Sequence, residues 1–232
     1  MPRRIFAEFL GTALLLAAIV GSGIMGQALS SDLGVVLIIN TLSTISALGV
    51  LIWTLGSVSG GHFNPAVTGI AALRREVRLP EAGGYVAAQI VGAVLGVGLA
   101  NFMFDLPVWE LSANERWGAG VWVGEIVATA GLLWVIGALT RTGKGHLGPL
   151  LVPLWIGAAF LFTSSTSFAN PAVTIGRAFT DTFSGIELAS VAPFIVFQLV
   201  GALLGAALTE IFYPRKAQPE PLDLPEPVHD AT

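Results

Sequence analysis

Six runs of 16 to 22 mostly apolar residues, at 5–25, 35–55, 85–104, 121–139, 147–162 and 191–212, constrain this chain more than any other feature. A helix needs about 20 apolar residues to cross the hydrocarbon of a bilayer. Backbone polar groups have no water there, so a run of this length spans as a helix, whose hydrogen bonds are all internal. Soluble domains carry about 25% charged residues. This chain of 232 residues carries 11%, with 54% hydrophobic residues and 28 glycines. The expected class is therefore an all-α membrane protein with the lipid bilayer as its surroundings. The first run follows MPRR; its 21 residues exceed the apolar core of a signal peptide, and no small-x-small cleavage site stands out, so it is read as the first span. The fifth run is short and holds Pro149 and Pro153, which leaves its start open.

Charge sets the orientation. With six spans, nine of the eleven Lys and Arg residues fall on one side: Arg3, Arg4, Arg74, Arg75, Arg78, Arg141, Lys144, Arg215 and Lys216. Arg116 and Arg177 fall on the other. Positive charge stays in the cytoplasm, so both termini are expected there, in a multi-pass protein of the cell (inner or plasma) membrane. Residues 217–232, AQPEPLDLPEPVHDAT, are acidic, hold four prolines and lack Lys and Arg. Such a segment cannot build an apolar core, and 215–232 is expected to be a disordered cytoplasmic tail. No basic patch points to nucleic acid. The absence of Cys excludes disulfides and thiolate metal sites, and no metal or other cofactor is expected.

The chain repeats itself. AEFLGT at 7–12 returns as GEIVAT at 124–129, FNPAVT at 63–68 as ANPAVT at 169–174, and QIVGAVLG at 89–96 as QLVGALLG at 198–205. The offsets are 117, 106 and 109 residues, in one order. Residues 1–110 thus form a first repeat and 111–214 a second. Each holds three spans, an odd number, so the second enters the membrane from the opposite side. Such inverted repeats place a solute site near the bilayer midplane.

Within each repeat an Asn-Pro-Ala triplet, Asn64-Pro65-Ala66 and Asn170-Pro171-Ala172, opens a stretch too short to span, 64–73 and 170–180. Asn is a favoured N-cap and Pro a favoured first helical residue. Both stretches are expected to be re-entrant half-helices whose N-termini meet at mid-membrane. Each Asn carbonyl would accept a backbone N–H while its NH2 points into a lumen as donor. Each helix start carries roughly half a positive charge, and the pair would repel cations and oppose proton hopping.

These motifs, with SGGHFNPAVT at 59–68 and QLVGALLGA at 198–206, resemble the aquaporin or major intrinsic protein family from Ala7 to about Gly205. The resemblance implies six tilted helices plus two half-helices, a homotetramer with one pore per subunit, and passive conduction of water or small neutral solutes. Glu8 and Glu125 lie inside the first and fourth spans. A carboxylate there must face protein partners, and the repeat suggests that each supports the irregular backbone beside its half-helix. His62 is expected to line the pore or pack a loop. Gly92 with Gly96, and Gly201 with Gly205, form two GxxxG motifs expected to cross each other within the monomer.

Most of the family carries Arg directly after the second Asn-Pro-Ala, at the extracellular constriction; here that position is Val173. Arg177 lies one helical turn on, about 6 Å further out. It is either a displaced filter charge or an anchor for a loop or a lipid headgroup. Counting from the motifs places Thr44 where the family has an aromatic ring and Ser167 where a small residue or Phe is usual. The fifth-helix filter residue is Ala158 or Ser164, depending on the alignment used. Small side chains at 44, 167 and 173 imply a widened filter that admits glycerol, urea or neutral metalloid acids such as arsenous acid. The alternatives are a strict water channel with Arg177 as its filter charge, a proton- or ion-coupled transporter relying on Glu8 and Glu125, or a closed junction protein. No paired acids, nucleophile triad or metal cluster suggests an enzyme.

Overall fold

The structure, a computed structural model, describes residues 1–215. The acidic tail expected at 215–232 lies outside these residues except for Arg215. Six long helices carry the apolar runs: α1 (Pro2–Leu29), α2 (Leu33–Ser59), α4 (Leu79–Met103), α5 (Ala119–Arg141), α6 (Gly148–Phe162) and α8 (Leu188–Phe212). Each is long and apolar enough to cross a membrane, α6 when counted with the 3₁₀ turn before it. Two short helices stand between them, α3 (Pro65–Leu73) and α7 (Pro171–Arg177).

Most long helices overrun their apolar runs, because backbone hydrogen bonding carries a helix past its last apolar residue. Helix α1 starts at Pro2 and takes in Arg3 and Arg4. Helix α4 starts at Leu79, with Pro80 in its first turn. Asp32 caps α2, accepting from the Gly34 and Val35 amides, and α2 ends at Gly60 in a left-handed turn with φ 101°. The fifth span begins at Gly148, after a 3₁₀ turn at Gly145–Leu147, and Pro149 sits harmlessly in its first turn. The second half-helix is shorter than the expected 170–180. It stops at Arg177, where the chain leaves the helix and the Ile186 amide bonds the Arg177 carbonyl at 3.2 Å.

At 1.5 Å per residue, α3 and α7 reach about 14 and 10 Å, well short of a 30 Å core. Both are re-entrant, so the fold is six spanning helices plus two half-helices in an inverted repeat. The repeat also governs packing. Helix α1 packs on α4, and α5 on α8. A Cβ on Gly92 would lie 2.5 Å from the Phe9 carbonyl oxygen, and one on Gly96 nearer still to that of Ala13. In the second half, a Cβ on Gly201 would lie 2.5 Å from the Ile126 carbonyl oxygen, and one on Gly205 nearer still to that of Ala130. The GxxxG motifs therefore do not cross each other. Each lets the third helix of a repeat touch the backbone of the first. The half-helices cross between halves: α3 touches α8, and α7 lies against α4.

Ion pairs collect at one end of the bundle. Arg4 pairs with Glu81 at 2.7 Å, tying the starts of α1 and α4. Glu210, near the end of α8, pairs with Arg141 and lies 3.8 Å from Arg74, which follows α3. This is the face where α1 starts and α8 ends; the 105–118 loop lies at the far face.

Candidate functional site

The two Asn-Pro-Ala tips meet at the centre. Asn64 Oδ1 accepts from the Ala66 amide at 2.9 Å, and Asn170 Oδ1 from the Ala172 amide at 3.0 Å and the Val173 amide at 3.3 Å. These are the expected N-caps. The NH2 groups differ from expectation. Asn64 Nδ2 donates to the Ala169 carbonyl and Asn170 Nδ2 to the Phe63 carbonyl, both at 2.8 Å. One N–H of each Asn therefore stitches the opposite loop in place, and each Asn also lines the central cavity. An amide nitrogen carries two N–H groups, so the second remains for the lumen.

The accepting carbonyls are turned by unusual backbone. Phe63 and Ala169 have φ of 48° and 47°, a left-handed conformation that costs a residue with a Cβ about 1–3 kcal/mol. Glu8 and Glu125 hold it. Glu8 accepts from the Ser59 hydroxyl, the His62 amide at 3.0 Å, the Phe63 amide at 2.6 Å and Gln89 Nε2 at 2.8 Å. Glu125 accepts from the Phe168 and Ala169 amides, both at 2.9 Å, and from Gln198 Nε2 at 2.6 Å. Both oxygens of both carboxylates are engaged. Gln89 and Gln198 reach on to the Thr68 and Thr174 hydroxyls at 3.0 and 2.8 Å. None of these four residues is chemically odd for its place, but the sequence carries their signal, since each pair occupies matching places in the repeated QxVGAxLG and NPAVT segments.

A cavity of about 280 Å³ runs past this junction. Arg74, Glu76, Thr140 and Gly145 line it toward the chain-end face. His62 lines it near Asn64, with Nδ1 3.0 Å from the Thr68 hydroxyl and its ring edge-on to Tyr85. Beyond the Asn pair the lining includes Thr44, Ser167, Val173 and Arg177, together with Leu15, Ile19 and Phe160. The structure thus brings Thr44, Ser167, Val173 and Arg177 to one cavity. It places the fifth-helix candidates elsewhere. Ala158 is exposed on the outer face of α6; Ser164 is exposed beyond the helix end, donating to the Gly120 carbonyl at 2.8 Å. Neither lines the cavity. Phe160 does so from α6, with Ile156 and Val152 one and two turns before it. Phe160 is two positions on from Ala158, enough on a helix to turn the side chain from the outer face to the cavity.

Thr44 Oγ1, Ser167 Oγ and Arg177 Nη1 are buried without a hydrogen-bond partner. The Arg177 guanidinium stacks on Phe168, its Cζ 3.5 Å from the ring centroid, while Nε donates to the Ser184 carbonyl. Arg116, from the 105–118 loop, approaches the same ring at 5.1 Å. Burial pulls the Arg116 guanidinium below its usual value, partly opposed by Glu125; arginine nonetheless stays charged in proteins.

The sequence profile described as "Major intrinsic protein" matches residues 1–169 and 161–227. The chain belongs to the major intrinsic protein family. This member is similar to "Aquaglyceroporin AqpS" of Rhizobium meliloti (strain 1021), 47% identical over 208 residues, which cover 90% of this chain and 89% of the relative. It is 33% identical to "Aquaporin-2" of Homo sapiens over 243 residues, 95% of this chain and 83% of the relative. The X-ray structure of the aquaglyceroporin from Plasmodium falciparum shares the fold, with a TM-score of 0.66 at 22% identity, covering 91% of this chain and 95% of that one. This major intrinsic protein is a multi-pass membrane channel, a passive route for water and small solutes, and not an enzyme.

Proposed function

We propose that this channel conducts small uncharged hydroxylated solutes, glycerol or neutral metalloid acids such as arsenous acid, together with water. The carrying observation is the chemistry of the far-side lining. Thr44 and Ser167 offer two hydroxyls without partners, beside apolar Val173 and Phe160. An unmatched buried polar group costs about 1–3 kcal/mol; a hydroxyl rotated into the lumen lets a solute with several hydroxyls remove that cost while its carbon or metalloid body touches the apolar wall. Small side chains at 44, 167 and 173 leave room for such a body, although Phe160 and the Arg177 guanidinium take part of it. The name of the relative AqpS, an aquaglyceroporin, agrees with this.

The test is stopped-flow swelling of liposomes in glycerol, with arsenite uptake measured beside it, for wild type and Val173→Arg. A guanidinium at 173 should cut passage of the larger solutes and spare water. Unchanged glycerol and arsenite flux through a folded Val173→Arg protein would overturn the proposal. Coupled transport finds little support, because both acids that could relay a proton, Glu8 and Glu125, have every carboxylate oxygen occupied by donors. We further propose that four subunits assemble, each with its own pore, in the cell membrane with both termini cytoplasmic.

A further inference from the structure

The two cations on the far side differ from those near the chain ends. Arg4, Arg74 and Arg141 have carboxylate partners in Glu81 and Glu210. Among the described residues, no carboxylate oxygen lies within 4.0 Å of Arg116 or Arg177. Neutral groups hold both instead. Arg177 Nε donates to the Ser184 carbonyl; Arg116 Nε donates to the Gly185 carbonyl at 2.9 Å and Nη2 to the Phe183 carbonyl at 3.2 Å. Both share the Phe168 ring. Carbonyl dipoles and a ring face orient a guanidinium without cancelling its charge.

Arg177 is 2% exposed, lines the same cavity as Asn170 and Val173, and leaves Nη1 unpartnered. A buried N–H of a charged group without an acceptor is expensive. A unit charge fixed in a region that excludes bulk water acts on a nearby ion far more strongly than it would in solution.

We propose that Arg177 sorts solutes by charge in this channel: its guanidinium, seated on Phe168 and backed by Arg116, turns cations away from a passage that neutral solutes take. The inference deepens the reading of the cavity as a route for neutral solutes by naming the side chain that supplies the charge where Val173 cannot. The competing role is mechanical. Arg177 also anchors the segment after α7, through Nε to Ser184 and through its carbonyl to the Ile186 amide.

The experiment separates charge from anchoring. Arg177→Lys keeps a unit charge, and isocyanic acid, small and neutral, can then carbamylate the introduced amine in the assembled protein. Wild type carbamylated in parallel controls for Lys144, Lys216 and the N-terminal amine. Liposomes report methylammonium leak, water swelling and glycerol swelling. Before carbamylation the variant should exclude methylammonium as wild type does. Afterwards the leak should rise at least about tenfold, the order expected for losing one charge near the path, and Arg177→Gln should match it; water swelling shows that a passage is still open. An unchanged leak in the carbamylated protein or in folded Arg177→Gln would overturn the proposal. So would an introduced amine that stays unmodified while Lys144 reacts, because it would then not face the passage. A Lys variant that fails to fold would overturn it too, since guanidinium geometry rather than charge would be what the site requires. Glycerol flux through wild type reads the solute proposal separately: its absence, beside a rising leak in the neutralised protein, would remove that proposal and leave this one standing.

Discussion

Phe63 and Ala169 carry the central junction, although neither offers a side-chain functional group. Each is held left-handed by a carboxylate on its amide and an asparagine on its carbonyl. Glu125→Ala would leave the Phe168 and Ala169 amides and Gln198 Nε2 without their acceptor. At about 1–3 kcal/mol for each buried donor left unmatched, the loss amounts to several kcal/mol, read as a large fall in the thermal midpoint in detergent. Glu125→Gln keeps one carbonyl oxygen and should lose less. Asn64→Asp tests the other tie. It keeps the cap to Ala66 but replaces the donor facing the Ala169 carbonyl with an acceptor. A stability loss of about 2 kcal/mol is expected in chemical denaturation, and a midpoint equal to that of wild type would remove the cross-loop bond from the account. The asparagines and the mid-span acids were legible in the sequence because each is chemically odd for its place: a cap pair inside lipid, and a charge inside a span. Phe160 was not. It lies in an apolar helix without polar periodicity, and the choice between Ala158 and Ser164 rested on loop length, which sequence does not measure.

At the scale of elements, the repeat offsets carried most of the information. The contact partners Phe9 and Ile126, like Ala13 and Ala130, are 117 residues apart, the offset of the AEFLGT pair. Small residues at Gly92, Gly96, Gly201 and Gly205 announced close helix approach. Their partners are the first helices of each repeat rather than each other, because GxxxG states that a backbone comes near without stating whose. A direct comparison follows. Gly96→Ala and Gly205→Ala would drive a methyl into the Ala13 and Ala130 carbonyls, and rigid backbone cannot yield as a side-chain tip can. Each should cost at least about 1–3 kcal/mol and lower the yield of folded protein. Gly83, also within α4, has nothing within 4 Å of its would-be Cβ and is exposed. Gly83→Ala should gain about 0.5–1 kcal/mol, the helical preference of Ala over Gly. If Gly83→Ala and Gly96→Ala moved the thermal midpoint alike, the close α1–α4 crossing would be wrong.

At the scale of the whole molecule, two halves of one design become inseparable because each half-helix docks into the other half, α3 beside α8 and α7 against α4. Inversion followed from counting three spans per repeat; the docking did not, since no local pattern in α3 or α7 names a distant partner. The two faces differ in charge, although the inverted repeat relates one to the other. Ion pairs among Arg4, Glu81, Arg74, Arg141 and Glu210 gather at the chain-end face, and eight of the ten cations among the described residues lie on that side. Cations held on the cytoplasmic side during insertion would place the 105–118 loop outside the cell. The chain contains no Cys, so single introduced thiols report their side without background. Glu110 is exposed in the 105–118 loop and Lys144 is exposed between α5 and α6. In intact cells a membrane-impermeant maleimide should label Glu110→Cys directly and Lys144→Cys only after permeabilisation. The opposite pattern would turn the molecule over in its membrane and place Arg177, with the unpartnered hydroxyls of Thr44 and Ser167, at the cytoplasmic end of the passage.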